Sequence, residues 1–209
     1  MANINQPFGF QPIATLSAAN WSGKVNTYYI PAADTSIMSI GDAVKVTTYN
    51  GTTVLGADAN GVPQVAKAAG TDTVRGVIIG FLLSNPNNVS LQGTILDNTI
   101  INLPATKTRD YYALVCDDPN TLYVIQGDSA GTNQTAQYAN MNASFTVTNP
   151  TSPSMRSASV LGGATLASNN TLNLRVMGLY QDANNAFGAY ARWVVKFNLH
   201  DLTNGATGA

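Results

Sequence analysis

Two apolar runs on either side of a short polar break constrain this chain more than any other stretch. Tyr111–Cys116 (YYALVC) and Leu122–Gln126 (LYVIQ) flank Asp117-Asp118-Pro119-Asn120. The flanks are rich in aromatic and β-branched residues, which fit a pleated, half-buried surface. In the break, proline fixes φ while Asp and Asn cap a tight backbone with side-chain oxygens. The pattern predicts a β-hairpin. Both runs are apolar on both faces, so the hairpin is expected at the centre of a sandwich rather than at a solvated edge.

Other strands are expected on either side of it. Val25–Ile30, Ala43–Thr47, Val62–Lys67 and Val74–Leu83 precede the break, with Val89–Ile95 and Thr99–Leu103 read as a further pair. Asn50-Gly51 is a strong hairpin signal that hands over to Thr52–Leu55. Gly76 and Gly80 inside an apolar run mark a bulge or bend. Phe145–Thr148, Met155–Leu161 and Thr171–Tyr180 follow, and Gly127–Asn142 reads as a long loop. In Tyr190–His200, the residues Ala191, Trp193, Val195, Phe197 and Leu199 share one face at strict period two, and His200 falls on the other, polar face. Leu161–Asn170 and Asp182–Phe187 are each long enough for only a short helix, and the tail Asp201–Ala209 is expected to fray.

Many short strands punctuated by Gly, Pro and Asn predict an all-β fold, a β-sandwich or jelly-roll-like barrel with few short helices. Residues 1–16 lack periodicity, and Pro7 and Pro12 bracket Phe8-Gly9-Phe10, which predicts a stiff, extended N-terminal arm. The division expected is therefore an arm over 1–16 and a single β-sandwich domain over 17–209. An arm with exposed aromatics either docks on its own domain or reaches a neighbour. Pro7, Phe8, Phe10 and Pro12 are accordingly the candidate partner-binding residues, and removing Met1–Pro12 is expected to spare the fold and weaken assembly.

Charged residues make up 10% of the 209, against about 25% in ordinary soluble domains. Ten basic and eleven acidic residues leave a net charge of −1, with no basic cluster, so no electrostatic footprint for nucleic acid is present. Asn, Thr, Ser, Gln and Gly supply the polarity instead. A near-neutral, amide-rich surface suits a protein packed against copies or partners. The single cysteine, Cys116, excludes an internal disulfide and sits in an apolar run, where an inert buried thiol is expected. No basic and hydrophobic leader opens the sequence, and the longest apolar run, Gly76–Leu83, is too short for a membrane helix. A soluble protein made in the cytoplasm is the expectation.

The residues that could carry chemistry are few. His200 is the only histidine, and it lacks a G-x-S-x-G partner sequence, so a solvated or interface role is preferred over catalysis. Asp117 and Asp118 are the only adjacent carboxylates; a glycosidase pair is conceivable, but the turn before Pro119 needs the same residues for backbone reasons. Tyr28-Tyr29 and Tyr111-Tyr112 offer a sugar-stacking platform or, more simply, strand tyrosines. No zinc, calcium, P-loop or dinucleotide motif is found. The reading is a non-enzyme with no catalytic residues, no metal and no cofactor.

A set of short motifs resembles the head decoration, or cement, proteins of tailed bacteriophages. It begins with Pro7-Phe8-Gly9-Phe10-Gln11-Pro12, then Ile40-Gly41-Asp42-Ala43-Val44 after Tyr29-Ile30-Pro31. It continues through Gly76-Val77-Ile78-Ile79-Gly80, Val115-Cys116-Asp117-Asp118-Pro119 and Ile125-Gln126-Gly127-Asp128. Arg156-Ser157 with Leu161, Leu174-Arg175-Val176-Met177-Gly178, Asp182 with Asn184-Asn185-Ala186, and Val194–His200 complete it. The pieces are collinear and cover most of the chain; Asn85–Asp110 and the Gln- and Asn-rich Thr132–Asn142 depart from the pattern. The resemblance implies a virion structural protein on the outer surface of the head, made in the host cytoplasm. It also implies a β-sandwich or jelly-roll-like fold, with the major capsid protein and its own copies (homodimer or homotrimer) as partners, and no nucleic acid or membrane. Two alternatives stay open: another phage structural subunit of tail, baseplate or fibre, and a carbohydrate-binding module.

Overall fold

The computed structural model describes residues 3–47, 56–59, 61–83, 95–96, 99–130, 141–152 and 155–203. The Asn50-Gly51 hairpin, the strand Thr52–Leu55, nearly all of Val89–Ile95, most of the loop Gly127–Asn142 and the end of the tail lie outside them. Within the described residues the fold is all-β, as expected, and its one helical element is a 3-10 turn at Gly163–Thr165. Asp182–Phe187 forms a turn, not a helix.

Two main sheets carry the fold, with strands numbered in chain order. The first is β1 (Gln11–Thr15), β10 (Thr121–Gln126), β15 (Arg192–Phe197), β14 (Leu174–Leu179) and β11 (Asn142–Ala143), side by side in that order. The second runs β2 (Asn26–Ile30), β9 (Tyr111–Cys116), β6 (Gly76–Leu83), β4 (Ala43–Val46) and β5 (Val65–Lys67), with β7 (Ile95–Leu96) paired to β6. Two short pairs complete the set, β3 (Met38–Ser39) with β8 (Asn102–Leu103) and β12 (Phe145–Thr146) with β13 (Val160–Leu161).

The second sheet curls into a small barrel. Tyr28 and Ile30 from β2 share one apolar cluster with Val65 from β5, although these strands stand at opposite ends of the sheet. In a flat sheet their separation would be roughly 19 Å, taking about 4.8 Å per strand spacing. A parallel bridge between Tyr29 and Gln64, with the Tyr29 N–H donating to the Pro63 carbonyl at 2.9 Å, closes the gap. Val44, Ile78, Phe81, Ala113 and Val115 fill the lumen, and Met38 and Leu103 join them from the β3–β8 pair. A bulge between Ile78 and Gly80 bends β6, as the strand glycines predict.

The first sheet packs against the barrel's outer wall. Tyr123, Ile125, Leu174, Val176, Trp193, Val195 and Phe197 meet Ala43, Val77 and Cys116 in a second core. This arrangement explains why Tyr111–Cys116 is apolar on both faces: Ala113 and Val115 enter the lumen while Cys116 faces the second core.

The central hairpin is not formed. β9 pairs with β2 and β6, β10 pairs with β1 and β15, and the break between them turns the chain from one sheet into the other. Asp118-Pro119-Asn120 is a tight turn as read, the Thr121 N–H donating to the Asp118 carbonyl at 3.0 Å. Asp117 instead reaches across the barrel wall, accepting from Asn26 Nδ2 at 2.9 Å and from the Tyr28 hydroxyl at 2.7 Å. Each run is an internal strand with two neighbours, so neither has a free edge for the other. The Tyr123 hydroxyl, donating to the Cys116 carbonyl at 3.0 Å, ties the corner instead. Of the pair expected from Val89–Ile95 and Thr99–Leu103, the described residues show β8 paired with β3 and Ile95, in β7, paired with β6.

The arm expected over 1–16 is divided by the fold. Gln11–Thr15 is a strand of the first sheet, antiparallel to β10, so the domain begins before residue 17. Phe10 is buried at 1% exposure among Phe145, Phe197 and Tyr123. Only residues ahead of Gly9 remain an arm. Gly9 takes φ +71°, and a Cβ there would lie 2.5 Å from both the Gly41 carbonyl oxygen and Ser157 Cβ. Only glycine passes through this node, where Phe10 N–H donates to the Gly41 carbonyl at 2.8 Å.

His200 is also relocated. β15 stops at Phe197, a bend follows, and the imidazole turns inward to 1% exposure. The flanking backbone is pinned to Val74, which donates to the Leu199 carbonyl at 3.0 Å and accepts from Asp201 N–H at 3.1 Å. Burial depresses the His200 pKa below its ordinary 6.5, with neighbouring Asp201 opposing the shift. The unfolded chain therefore binds a proton that the folded chain resists. Stability from this group is present above about pH 6.5 and is lost as pH falls below it. Thermal unfolding between pH 7.5 and pH 5.5 is expected to show that loss. The slope should flatten in His200→Asn, whose side-chain oxygen can still accept the Leu202 N–H that Nδ1 accepts at 3.1 Å.

Candidate functional site: a cavity under the N-terminal arm

A cavity of about 550 Å³ opens between the arm and the ends of β10 and β15. Ile4, Pro7, Phe8 and Met155 supply the apolar part of its lining. Gln126 and Arg192 from the strands, with Arg156, Asn184 and Tyr190 from loops, supply the polar part. A smaller hollow on the other side of Phe8 is lined by Ile13, Val124 and Asp182, so Phe8 stands between the two.

The arm is held by amide chemistry rather than by a ladder. Gln126, 3% exposed, donates from Nε2 to the Ile4 carbonyl at 2.7 Å and to the Tyr190 carbonyl at 3.2 Å. Its Oε1 accepts the Gln6 N–H at 3.0 Å. Asn3 Nδ2 donates to the Ala186 and Ala189 carbonyls at 2.8 and 2.9 Å, and its Oδ1 accepts the Ala186 N–H at 3.0 Å. One buried side chain thus joins the arm to the loop before β15. Tyr190 holds φ +59°, an uncommon conformation for a bulky residue, and its N–H donates to the Asp128 carbonyl at 3.1 Å.

Gln126→Ala removes all three side-chain bonds of Gln126 and takes their partner from the Ile4 and Tyr190 carbonyls and the Gln6 N–H. The expected cost is about 1–3 kcal/mol, accompanied by faster amide exchange confined to residues 3–8. Unchanged protection of the Gln6 amide would refute the clamp.

The opposite wall is a built loop. Asn185 donates from Nδ2 to the Tyr180 and Arg192 carbonyls at 2.7 and 2.8 Å and accepts the Arg192 N–H at 2.8 Å, closing the β14–β15 connection. Asp182 pairs with Arg192 at 2.9 Å. The Asn184 N–H bonded to its carboxylate, and then Arg192, hold the Asp182 pKa below the usual carboxylate range. The Arg192 guanidinium also sits 5.8 Å from the Tyr180 ring centroid, a cation–π distance.

The candidate residues read from the sequence are thus separated. Pro7 and Phe8 line the cavity, Phe10 is core, and Pro12 is a half-buried strand residue opposite Tyr123. Gln126 and Arg156 lie in motifs of the resemblance, but neither they nor Tyr190 and Arg192 are marked locally as a site, and their convergence in space identifies them. The tyrosine platform does not form: Tyr28 lies in the lumen at 4% exposure and Tyr112 is 2% exposed, its hydroxyl donating to Asp58 at 2.6 Å. Asp117 is 6% exposed and occupied by Asn26 and Tyr28. Among the described residues no group of His, Cys, Asp or Glu stands together in a way that could hold a metal ion, and no helix is long and apolar enough to cross a membrane.

The fold and its cavity define an all-β protein of two packed sheets with a strapped amino terminus. A scan against protein-family models and searches of curated proteins and of solved structures each return no match.

Proposed function

We propose that the chain is a virion structural protein that binds the outer surface of an assembled phage head and bridges neighbouring capsomers, acting as a homo-oligomer. One observation carries this reading. The motifs that resemble decoration proteins are scattered along the chain, yet four of them meet at one cavity: Pro7-Phe8, Gln126, Arg156 and Asn184 all line it. One other joins the adjoining node, where Gly41 is in contact with Gly9 and Ser157, which belong to two of those four. Motifs that are scattered along the chain and yet share one surface support this reading. The sparse charge of the chain, 10% of residues, fits a subunit that works against a protein surface.

The mechanism is linkage. A ligand that binds only the mature shell stabilises it at every site by RT ln(1 + [L]/Kd), about 2.7 kcal/mol per site at a hundredfold excess over Kd. Contacts across capsomer joints then oppose the outward pressure of packaged DNA.

The test is co-sedimentation with expanded empty heads, unexpanded heads and isolated tails. Binding to expanded heads, with a raised temperature of head rupture, is the expected result. Binding to tails without heads would replace this reading with a tail, baseplate or fibre subunit. A variant lacking residues 1–6 keeps Phe10 and β1, so it should fold and yet bind heads more weakly.

A further inference from the structure

We propose that the arm cavity is a receptor for a short acidic peptide segment of the partner shell, anchored by an apolar side chain; the partner's identity rests on the function proposed above. The charge of the lining supports the peptide's sign. Among the described residues that line the cavity, Arg156 and Arg192 are the only charged side chains, and no carboxylate is among them. That is two of the ten basic residues in a chain of net charge −1.

Arg192 is already paired with Asp182. Arg156 is exposed, and among the described residues its guanidinium has no ion-pair or hydrogen-bond partner. An unpaired guanidinium presents a planar fork of donors that matches a carboxylate bidentately.

The same lining has an apolar part. Ile4, Pro7, Phe8 and Met155 supply a wall for an aliphatic or aromatic side chain, and Met155 can adapt to either. Ile4 is 78% exposed, an apolar cost that a bound side chain would relieve. The volume of about 550 Å³ falls inside the roughly 300–1,000 Å³ of ligand pockets. Because Gln126 and Asn3 hold the arm in place, the wall exists before the ligand arrives, which lowers the ordering cost of binding. Nucleic acid fits poorly, because two arginines neutralise too few phosphates to hold a strand.

The probe is a set of blocked tetrapeptides (acetylated and amidated) that pair Asp or Glu with Leu or Phe, matched to Asn and Gln counterparts, titrated into the full chain and followed by NMR. Saturable shifts at Phe8, Met155 and Tyr190 are expected, at least tenfold weaker with the neutral peptides and in Arg156→Gln. Arg156 is exposed, so the variant should fold normally. Equal binding of acidic and neutral peptides, or no shift at the cavity, overturns the inference.

Mature heads separate this inference from the function. If heads bind the native chain and Arg156→Glu equally well, the acidic-peptide receptor is wrong while head binding stands. If acidic peptides fill the cavity but heads are not bound, the receptor stands and the proposed function fails.

Discussion

Phe10→Ala is expected to destabilise the protein by about 3–5 kcal/mol, the usual cost of truncating a fully buried aromatic residue. Phe10 is 1% exposed, and its ring centroid lies 5.2 Å from Phe145, 5.1 Å from Phe197 and 6.1 Å from Tyr123. Truncation removes one ring from a four-ring cluster that joins β10, β12 and β15, leaving a cavity that the neighbours cannot all close. Phe8→Ala, two residues earlier and half-buried, should cost about 1 kcal/mol or less. Urea unfolding of the two variants measures the contrast, and equal losses would mean that Phe10 is not core. Removal of Met1–Pro12 should accordingly abolish cooperative unfolding rather than spare the fold, because it deletes Phe10 together with the start of β1.

Asp42→Ala is expected to cost a comparable amount, about 3–5 kcal/mol, because it takes the counterion from the largely buried Lys67 and the acceptor from the buried Ser157 hydroxyl and Ser39 N–H. Asp42 is fully buried and Lys67 Nζ lies 2.8 Å from its Oδ2. The Ser157 hydroxyl donates to Asp42 Oδ1 at 2.5 Å and the Ser39 N–H to Oδ2 at 2.8 Å. One carboxylate therefore ties together the turn before β4, the strand β5 and the segment before β13. Burial pushes the Asp42 carboxyl up from its ordinary range, while Lys67 and then Ser157 pull it down. Lys67→Met should also be strongly destabilising at neutral pH, since the carboxylate loses its cation. Asp42 can then relieve the loss by taking up a proton, so the deficit of Lys67→Met relative to the native chain should shrink as pH falls. Asp42→Ala combined with Lys67→Met tests the pair itself: its loss should be smaller than the sum of the two single losses. Additive losses would show that the pair is not coupled.

The strand positions were largely legible, and the reason is local. β2, β4, β6, β9, β14 and β15 fall inside runs whose apolar, β-branched and aromatic content is visible without knowledge of partners, and β10 exceeds its run only by Thr121. The missed strand β1 lies in Gln11–Thr15, where proline and polar residues hide any alternation, and it exists because β10 supplies a ladder for it. The candidate site was legible in part. Pro7 and Phe8 stand out through composition, but Phe10 has the same signal and the opposite fate. Gly9 at φ +71° turns the chain between them, so that one aromatic lines a cavity and the next enters the core. Period-two alternation likewise placed His200 on a polar face, correctly only for as long as the strand continued past Phe197.

Residue pattern alone established that this protein is all-β, that Tyr111–Cys116 and Leu122–Gln126 are internal strands covered on both sides, and that a turn follows within Asp117-Asp118-Pro119-Asn120. Tertiary structure alone decided that these two strands belong to different sheets, that Asp117 and His200 face inward, and that the arm straps over a cavity bearing Arg156. Side-chain pattern reports how much of each strand is covered. Ladder hydrogen bonds are made by a backbone that is the same at every residue, so which strand does the covering is settled only when the whole chain has packed.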